Sequence, residues 1–311
     1  MVRVVATLAV AAVTLGFSQS GQAPLPAQIR KLSRASTWRL ERSIPLKFPA
    51  HHPQGMVKIG ERLFVSSVEI KVPTRRSETR TDGFDRDAGE GVGHLFEVTM
   101  AGELVADQIL GEGTQYHPGG IDFDGTDIWV SVAEYRPNSR SIVYRVDPAT
   151  RKPAEVFRFG DHLGGIVRNR DDNTLHALSW GSRWFYRFTL DREGRATNAG
   201  SPPASLRTAN PSHYVDYQDC KYAGARQMLC TGIADVARGS NERPYQLGGI
   251  DLIDLVSGRP VHQVPLGLTT PAGVSLTRNP SFFETTPTGL RAYFLPEDDA
   301  ATLYVYGVAE R

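Results

Sequence analysis

One hairpin recurs along this chain, and its recurrence constrains the fold more than any other feature. His51–Ile70 reads HHPQGMVKIGERLFVSSVEI and Tyr116–Tyr135 reads YHPGGIDFDGTDIWVSVAEY. Aligned from His52 and His117, both carry His-Pro, a Gly three residues after the His (Gly55, Gly120), a turn Gly (Gly60, Gly125), Val-Ser (Val65-Ser66, Val130-Ser131) and a Glu (Glu69, Glu134). Three more copies follow: DHLGGIVRNRDDNTLHALSW around His162, YQDCKYAGARQMLCTGI from Tyr217, and TPAGVSLTRNP with GLRAYFLPED from Thr270. The starts at 52, 117, 162, 217 and 270 are spaced by 65, 45, 55 and 53 residues. Such a period suits one propeller blade of four strands. A small sheet cannot cover its own faces and edges, and copies closed into a ring cover them for one another.

Two more strand-like runs follow each hairpin except the last, which is followed only by TLYVYGVAE. The missing strand stands at the other end of the chain, in WRLERSIPLKF (Trp38–Phe48). The expected fold is therefore all-β: a five-bladed β-propeller closed by an N-terminal strand that completes the last blade. Six blades would need another hairpin. The surplus length of the first unit is a polar insert, Lys71–Gly93, between its second and third strands.

Ahead of these repeats, Arg3 precedes an apolar run of 14 residues, then small and polar residues up to Ala23. This is the layout of a signal peptide, and the run is short for a membrane span. The expected organisation is a signal peptide at 1–23, a linker at 24–37 and a single propeller domain at 38–311, in a secreted or periplasmic protein with no membrane span once mature. The two cysteines, Cys220 and Cys230, flank a predicted hairpin turn near Gly224, so a cross-strand disulfide is expected. The net charge of +1 gives no footprint for nucleic acid or a membrane surface. A small-molecule ligand or substrate, or a protein partner, remains.

In a propeller the first strands line the channel, and their starts share one face with the ends of the second strands. His52, His117, His162, Tyr217 and Thr270 should ring that mouth, with His51, Tyr116, Asp161 and Asp216 just before them. Glu69, Glu134, Trp180, Asp235 and Glu297 or Asp298 should surround it. Gly55, Gly120, Gly165 and Gly273 are expected where inner strands crowd at the axis. DFDGTD lacks the spacing and closing Glu of a calcium loop. Packing alone does not call for three histidines at one position. Neutral imidazole is a frequent transition-metal ligand, and three His with an open position resemble a catalytic zinc set. One reading makes His52, His117 and His162 ligands of a divalent transition metal (Zn, Fe or Cu). Glu69 or Glu134 then moves a proton, Tyr217 donates to an oxyanion, and His51, Tyr116, Trp180, Asp216 and Asp235 contact substrate. The protein would be a metal-assisted hydrolase or lyase acting on a small molecule. The other readings are metal-free acid–base or substrate-binding roles, a non-catalytic ligand- or protein-binding propeller, and histidines that fill a wet channel. His94 and His262 fall in outer-strand patterns and His176 in a second strand, where structural roles are expected.

With these hairpins in place, the chain resembles an uncharacterised family of secreted bacterial β-propeller proteins. It is more distantly similar to lactonase/gluconolactonase-type and streptogramin-lyase-type propellers. The lactonase resemblance implies hydrolysis at a calcium-bearing channel, and the lyase resemblance implies a catalytic His on the mouth face, at His117 or His162.

Overall fold

The structure, a computed structural model, describes residues 23–81, 83–237 and 245–309. The expected signal peptide lies outside them but for Ala23. The chain is all-β and propeller-like. Its strands run as antiparallel meanders in sequence order. The first joins His52–Ile59, Arg62–Val72, Glu90–Thr99 and Leu104–Leu110. The second (Gln115–Phe123, Ile128–Glu134, Ser141–Val146, Pro153–Phe159) and the third (Leu163–Asn169, Thr174–Ser179, Trp184–Thr189, Arg207–Ala209) form one eight-stranded sheet. A single parallel bridge, Gly165 to Gly120, joins those two halves. The fourth is Asp216–Gly224, Gln227–Val236, Tyr245–Asp254 and Pro260–Leu266. The last sheet is Ser281–Thr286, Gly289–Phe294 and Thr302–Ala309, with Trp38–Pro45 at its edge.

The N-terminal strand thus pairs with the C-terminal one, Trp38 opposite Val308 and Pro45 opposite Thr302. The apolar clusters show why this pairing matters. Each joins successive meanders: Val57, Phe64 and Leu95 meet Ile121, Ile128 and Val130. Trp129, Val143 and Phe157 meet Leu163, Ile166 and Phe188. Val167, Leu178 and Phe185 meet Tyr217, Cys220 and Ile253, and Leu229, Ile250 and Leu252 meet Phe283, Leu290 and Phe294. The last cluster returns to the start, with Tyr293, Leu303 and Val305 against Met56, Leu63 and Phe96, sealed by Ile44. Residues read as a linker carry the helix Leu25–Ile29, and Ile29 and Leu32 are buried against the fourth and last sheets.

Close approach at the axis accounts for Gly55 and Gly120. A Cβ on Gly55 would lie 2.5 Å from the Ile121 nitrogen, and one on Gly120 2.8 Å from Asp219 Oδ1. Gly273 corrects the expectation: it has open space around it and φ +81°, closing a turn in which its N–H donates to the Thr270 carbonyl (2.9 Å). The fifth hairpin accordingly opens at Ser281, not Thr270. Pro271 and the left-handed Gly273 bend the intervening chain into turns. Buried carboxylates tie the inner strands together. Asp122 accepts from the N–H groups of Arg168 and Tyr222, and Asp219 from that of Met56 while pairing with Lys221. Burial pushes the Asp122 carboxyl up to about 6. The Asp124 carboxylate of DFDGTD is spent on its own turn and on Trp129 Nε1.

The cysteines sit opposite each other and are bonded. The turn lies one residue beyond Gly224, at Ala225-Arg226, both with positive φ. The disulfide fits an oxidising compartment. Among the described residues no helix is long and apolar enough to cross a membrane.

Candidate functional site

The recurrent strand starts do converge. His52, His117, His162 and Tyr217 line one cavity of about 270 Å³, together with Gln54, Tyr135, Trp180, Asp216 and Gln218. In the first four meanders the residue at or beside the start of the inner strand faces this opening.

The three histidines are held differently. His162 is 3% exposed, and its Nδ1 lies 2.8 Å from the Glu134 carbonyl, so that nitrogen carries the proton and Nε2 presents a lone pair. Trp180 meets its ring edge-on at 4.8 Å. Burial pushes the His162 imidazole down to about 4, so it is neutral at physiological pH. His117 is 5% exposed and stacks on Tyr135 at 4.3 Å, and neither ring nitrogen has a protein partner. Burial, then the neighbouring His162 and His52, hold it well below the usual histidine range. His52 donates from Nδ1 to Asp298 Oδ1 (2.7 Å), and Arg278 holds the other carboxylate oxygen (2.9 Å). Burial raises the Asp298 carboxyl, but the hydrogen bond to His52 and the neighbouring His52 and Arg278 side chains outweigh it and leave it at about 2.

Glu134, expected to move a proton, and Tyr217, expected to donate to an oxyanion, are tied up. Glu134 has a fully buried side chain. Its Oε2 accepts from Arg136 (2.7 Å), and its Oε1 accepts from Arg140 (2.7 Å) and Thr114 (2.8 Å). Burial pushes this carboxyl up, but the two guanidinium groups prevail and hold it below the usual range. Its carbonyl orients His162 instead. The Tyr217 hydroxyl donates to Asp251 (2.6 Å). Tyr116 donates to the Ala88 carbonyl (2.6 Å), Asp216 pairs with Arg183 (2.7 Å), and Asp235 accepts from Gln246 (3.2 Å) away from the cavity lining. Thr270 is buried outside this lining.

The insert reaches the mouth. Its short hairpin, Arg76–Thr81 with Phe84–Arg86, lays Phe84 under the Arg136 guanidinium (3.6 Å) and Arg86 over Trp180 (5.1 Å).

His52, His117 and His162 share the cavity, and the His117 and His162 ring centroids are 5.9 Å apart. Among the described residues, the group with one ligand atom each, all within 4.8 Å of one another, is His51, Glu69 and His94. This group could hold a metal ion. It borders a second cavity lined by His51, Glu69, Asp298 and Asp299, which shares His52 and Tyr135 with the first. His94 escaped the sequence reading because its place is set by cross-strand register. It sits opposite Ser67 on the third strand, two positions from the Glu69 pairing. No local pattern marks that proximity.

The chain belongs to DUF6454, a family of unknown function, whose profile matches residues 10–310. No curated protein matches it. Among solved structures it is similar to hydrazine synthase of Kuenenia stuttgartiensis, with 16% identity and a TM-score of 0.39, over 81% of this chain and 58% of that one. It is also similar to a luciferin-regenerating enzyme (10% identity, TM-score 0.46, 87% of this chain and 97% of that one). A third likeness is the tail fibre of Staphylococcus aureus phage P68 (8% identity, TM-score 0.44, 89% of this chain and 53% of that one). Likenesses this distant say nothing about chemistry.

Proposed function

We propose that this family member is a secreted, five-bladed β-propeller that binds a small polar molecule in its histidine-lined mouth and hydrolyses it or eliminates a group from it. Five apolar clusters, each between successive meanders and the last returning to the first, support the closed ring. The disulfide and the N-terminal apolar run support secretion.

The observation that carries the functional reading is His117. A buried imidazole with both nitrogens unpartnered costs about 1–3 kcal/mol per orphaned group. Folds retain such a group where a ligand satisfies it. His117 and the Nε2 of His162 offer neutral hydrogen-bonding groups to a carbonyl or hydroxyl. His52, oriented by Asp298, is the group placed to take a proton, in the manner of a carboxylate-held imidazole base. Trp180 and Tyr135 supply aromatic walls. The roles first expected of Glu134 and Tyr217 pass to positioning: Glu134 orients His162, and Tyr217 closes the cavity wall.

A second reading, binding without turnover, is favoured by the full engagement of Glu134 and Tyr217. One experiment separates the readings. Wild type, His117→Leu and His52→Gln are assayed for thermal shift and for turnover on a panel of lactones, esters and small hydroxylated acids. Under the catalytic reading, wild type binds and turns over a panel member. His117→Leu then loses binding at least tenfold while gaining about 1–2 kcal/mol of stability, because an apolar isostere removes orphaned polar groups. His52→Gln retains binding and loses turnover. Binding with no turnover in any protein selects the second reading. If His117→Leu is destabilised and no panel member binds wild type, the mouth histidines are structural and both readings fall.

A further inference from the structure

We propose that His51, Glu69 and His94 bind a divalent transition-metal ion of the zinc class, at a site separate from the His117–His162 pocket and independent of the reading given to that pocket. His94 carries the argument. It is 6% exposed, and its Nδ1 lies 3.0 Å from both oxygens of Asp107. A carboxylate accepts, so Nδ1 bears the hydrogen and Nε2 is left as a bare lone pair. That buried nitrogen has no hydrogen-bond partner, and Glu69 Oε2 stands 3.9 Å from it. The separation is too long for a hydrogen bond. It is close to the spacing of two ligands on one small ion, roughly 3.4 Å for bonds near 2.1 Å at tetrahedral angles.

The other two groups complete the set. His51 offers a ring nitrogen within 4.8 Å of the His94 and Glu69 ligand atoms, its Nδ1 lies 3.4 Å from Asp299 Oδ1, and Lys71 occupies only the Oε1 side of Glu69 (2.5 Å), leaving Oε2 toward His94. Two imidazoles and one carboxylate select a borderline metal. Calcium and magnesium take oxygen ligands, and soft copper(I) prefers sulfur. The Asp107–His94 hydrogen bond is the outer carboxylate that fixes a ligating imidazole's tautomer. The neighbouring cavity, on the His52 side, leaves a coordination position open to water or a ligand.

The test uses the whole purified protein, stripped with chelator and titrated with Co(II) and Zn(II). The visible Co(II) absorption reports coordination, and calorimetry reports stoichiometry. One equivalent is expected to bind, with a Co(II) band of tetrahedral or five-coordinate intensity. His94→Gln and Glu69→Gln should each weaken binding by about 100-fold or more, and Asp107→Asn by about 10–100-fold with a shifted Co(II) band. His117→Leu should bind like wild type, which separates this site from the mouth pocket. Glu69 lies near the surface, so its variant keeps the test valid should His94→Gln fail to fold. Absence of stoichiometric binding, binding that survives Glu69→Gln in folded protein, or equal loss in His117→Leu would each overturn the proposal.

Discussion

At the scale of single residues, burial decides what the histidines do. His117, His162 and His176 are all buried enough for desolvation to favour the neutral ring. His176 is the cleanest case because it lies away from the mouth. Burial pushes it down to about 4 against an upward pull from Asp172, and Arg187 adds to the downward push. The unfolded value is about 6.5. Between these values the unfolded chain binds a proton that the folded chain refuses, so stability is lost as pH falls from about 6.5 toward about 4. Asp122, raised to about 6, works in the opposite direction, so the whole-protein slope mixes both signs. A His176→Gln variant isolates one of them. In urea unfolding at pH 7 and pH 5 it should lose up to about 2 kcal/mol less than wild type between the two pH values. Parallel losses in the two proteins would show that His176 is not held neutral by burial.

At the scale of elements, the hairpin Asp216–Gly224 with Gln227–Val236 carries both a staple and a fault. The Cys220–Cys230 disulfide crosses it with ten residues of sequence separation. Its two-residue turn, Ala225-Arg226, has φ of +53° and +52°, the left-handed pair of a type I′ turn. Asn-Gly adopts that pair readily, whereas Ala and Arg do so at a cost. Replacing Ala225-Arg226 by Asn-Gly should raise stability by about 1–2 kcal/mol with the disulfide intact, since the Arg226 N–H that meets Asp171 survives the change. Thermal melts of the two proteins decide the matter; a lower melting temperature for the variant would mean that the Arg226 side chain outweighs the backbone strain.

At the scale of the whole molecule, the proposed ring closure would rest on a strand that pairs from the far end of the chain. Trp38–Pro45 completes the last sheet, and along it Ile44 is buried between the last and first meanders while Leu40 is half exposed. Closure therefore predicts a contrast within one strand. Ile44→Ala should cost about 2–4 kcal/mol and Leu40→Ala less than about 0.5 kcal/mol. Equal effects would mean that the strand is held by backbone pairing alone and that the cluster across the seam contributes little. The N-terminal segment packs at the neighbouring junction instead, with Ile29 and Leu32 buried where the fourth and last sheets meet.

The repeated hairpin, the spare strand at each end, the insert and the cysteine pairing were legible in the chain because each depends on local pattern: alternation, turn residues and spacing. The same logic placed His52, His117 and His162 at equivalent strand starts, and the structure brings them into one cavity. The pattern failed at Thr270, where a Gly in a turn resembled a Gly at the axis. Tertiary structure decided which polar groups are left over. Glu134 is consumed by Arg136 and Arg140, Tyr217 by Asp251, and His94 is freed at Nε2 by Asp107 on the adjacent strand. Strand propensity is a property of a few neighbouring residues, whereas the availability of a nitrogen or oxygen depends on every group that folding carries within hydrogen-bonding distance of it.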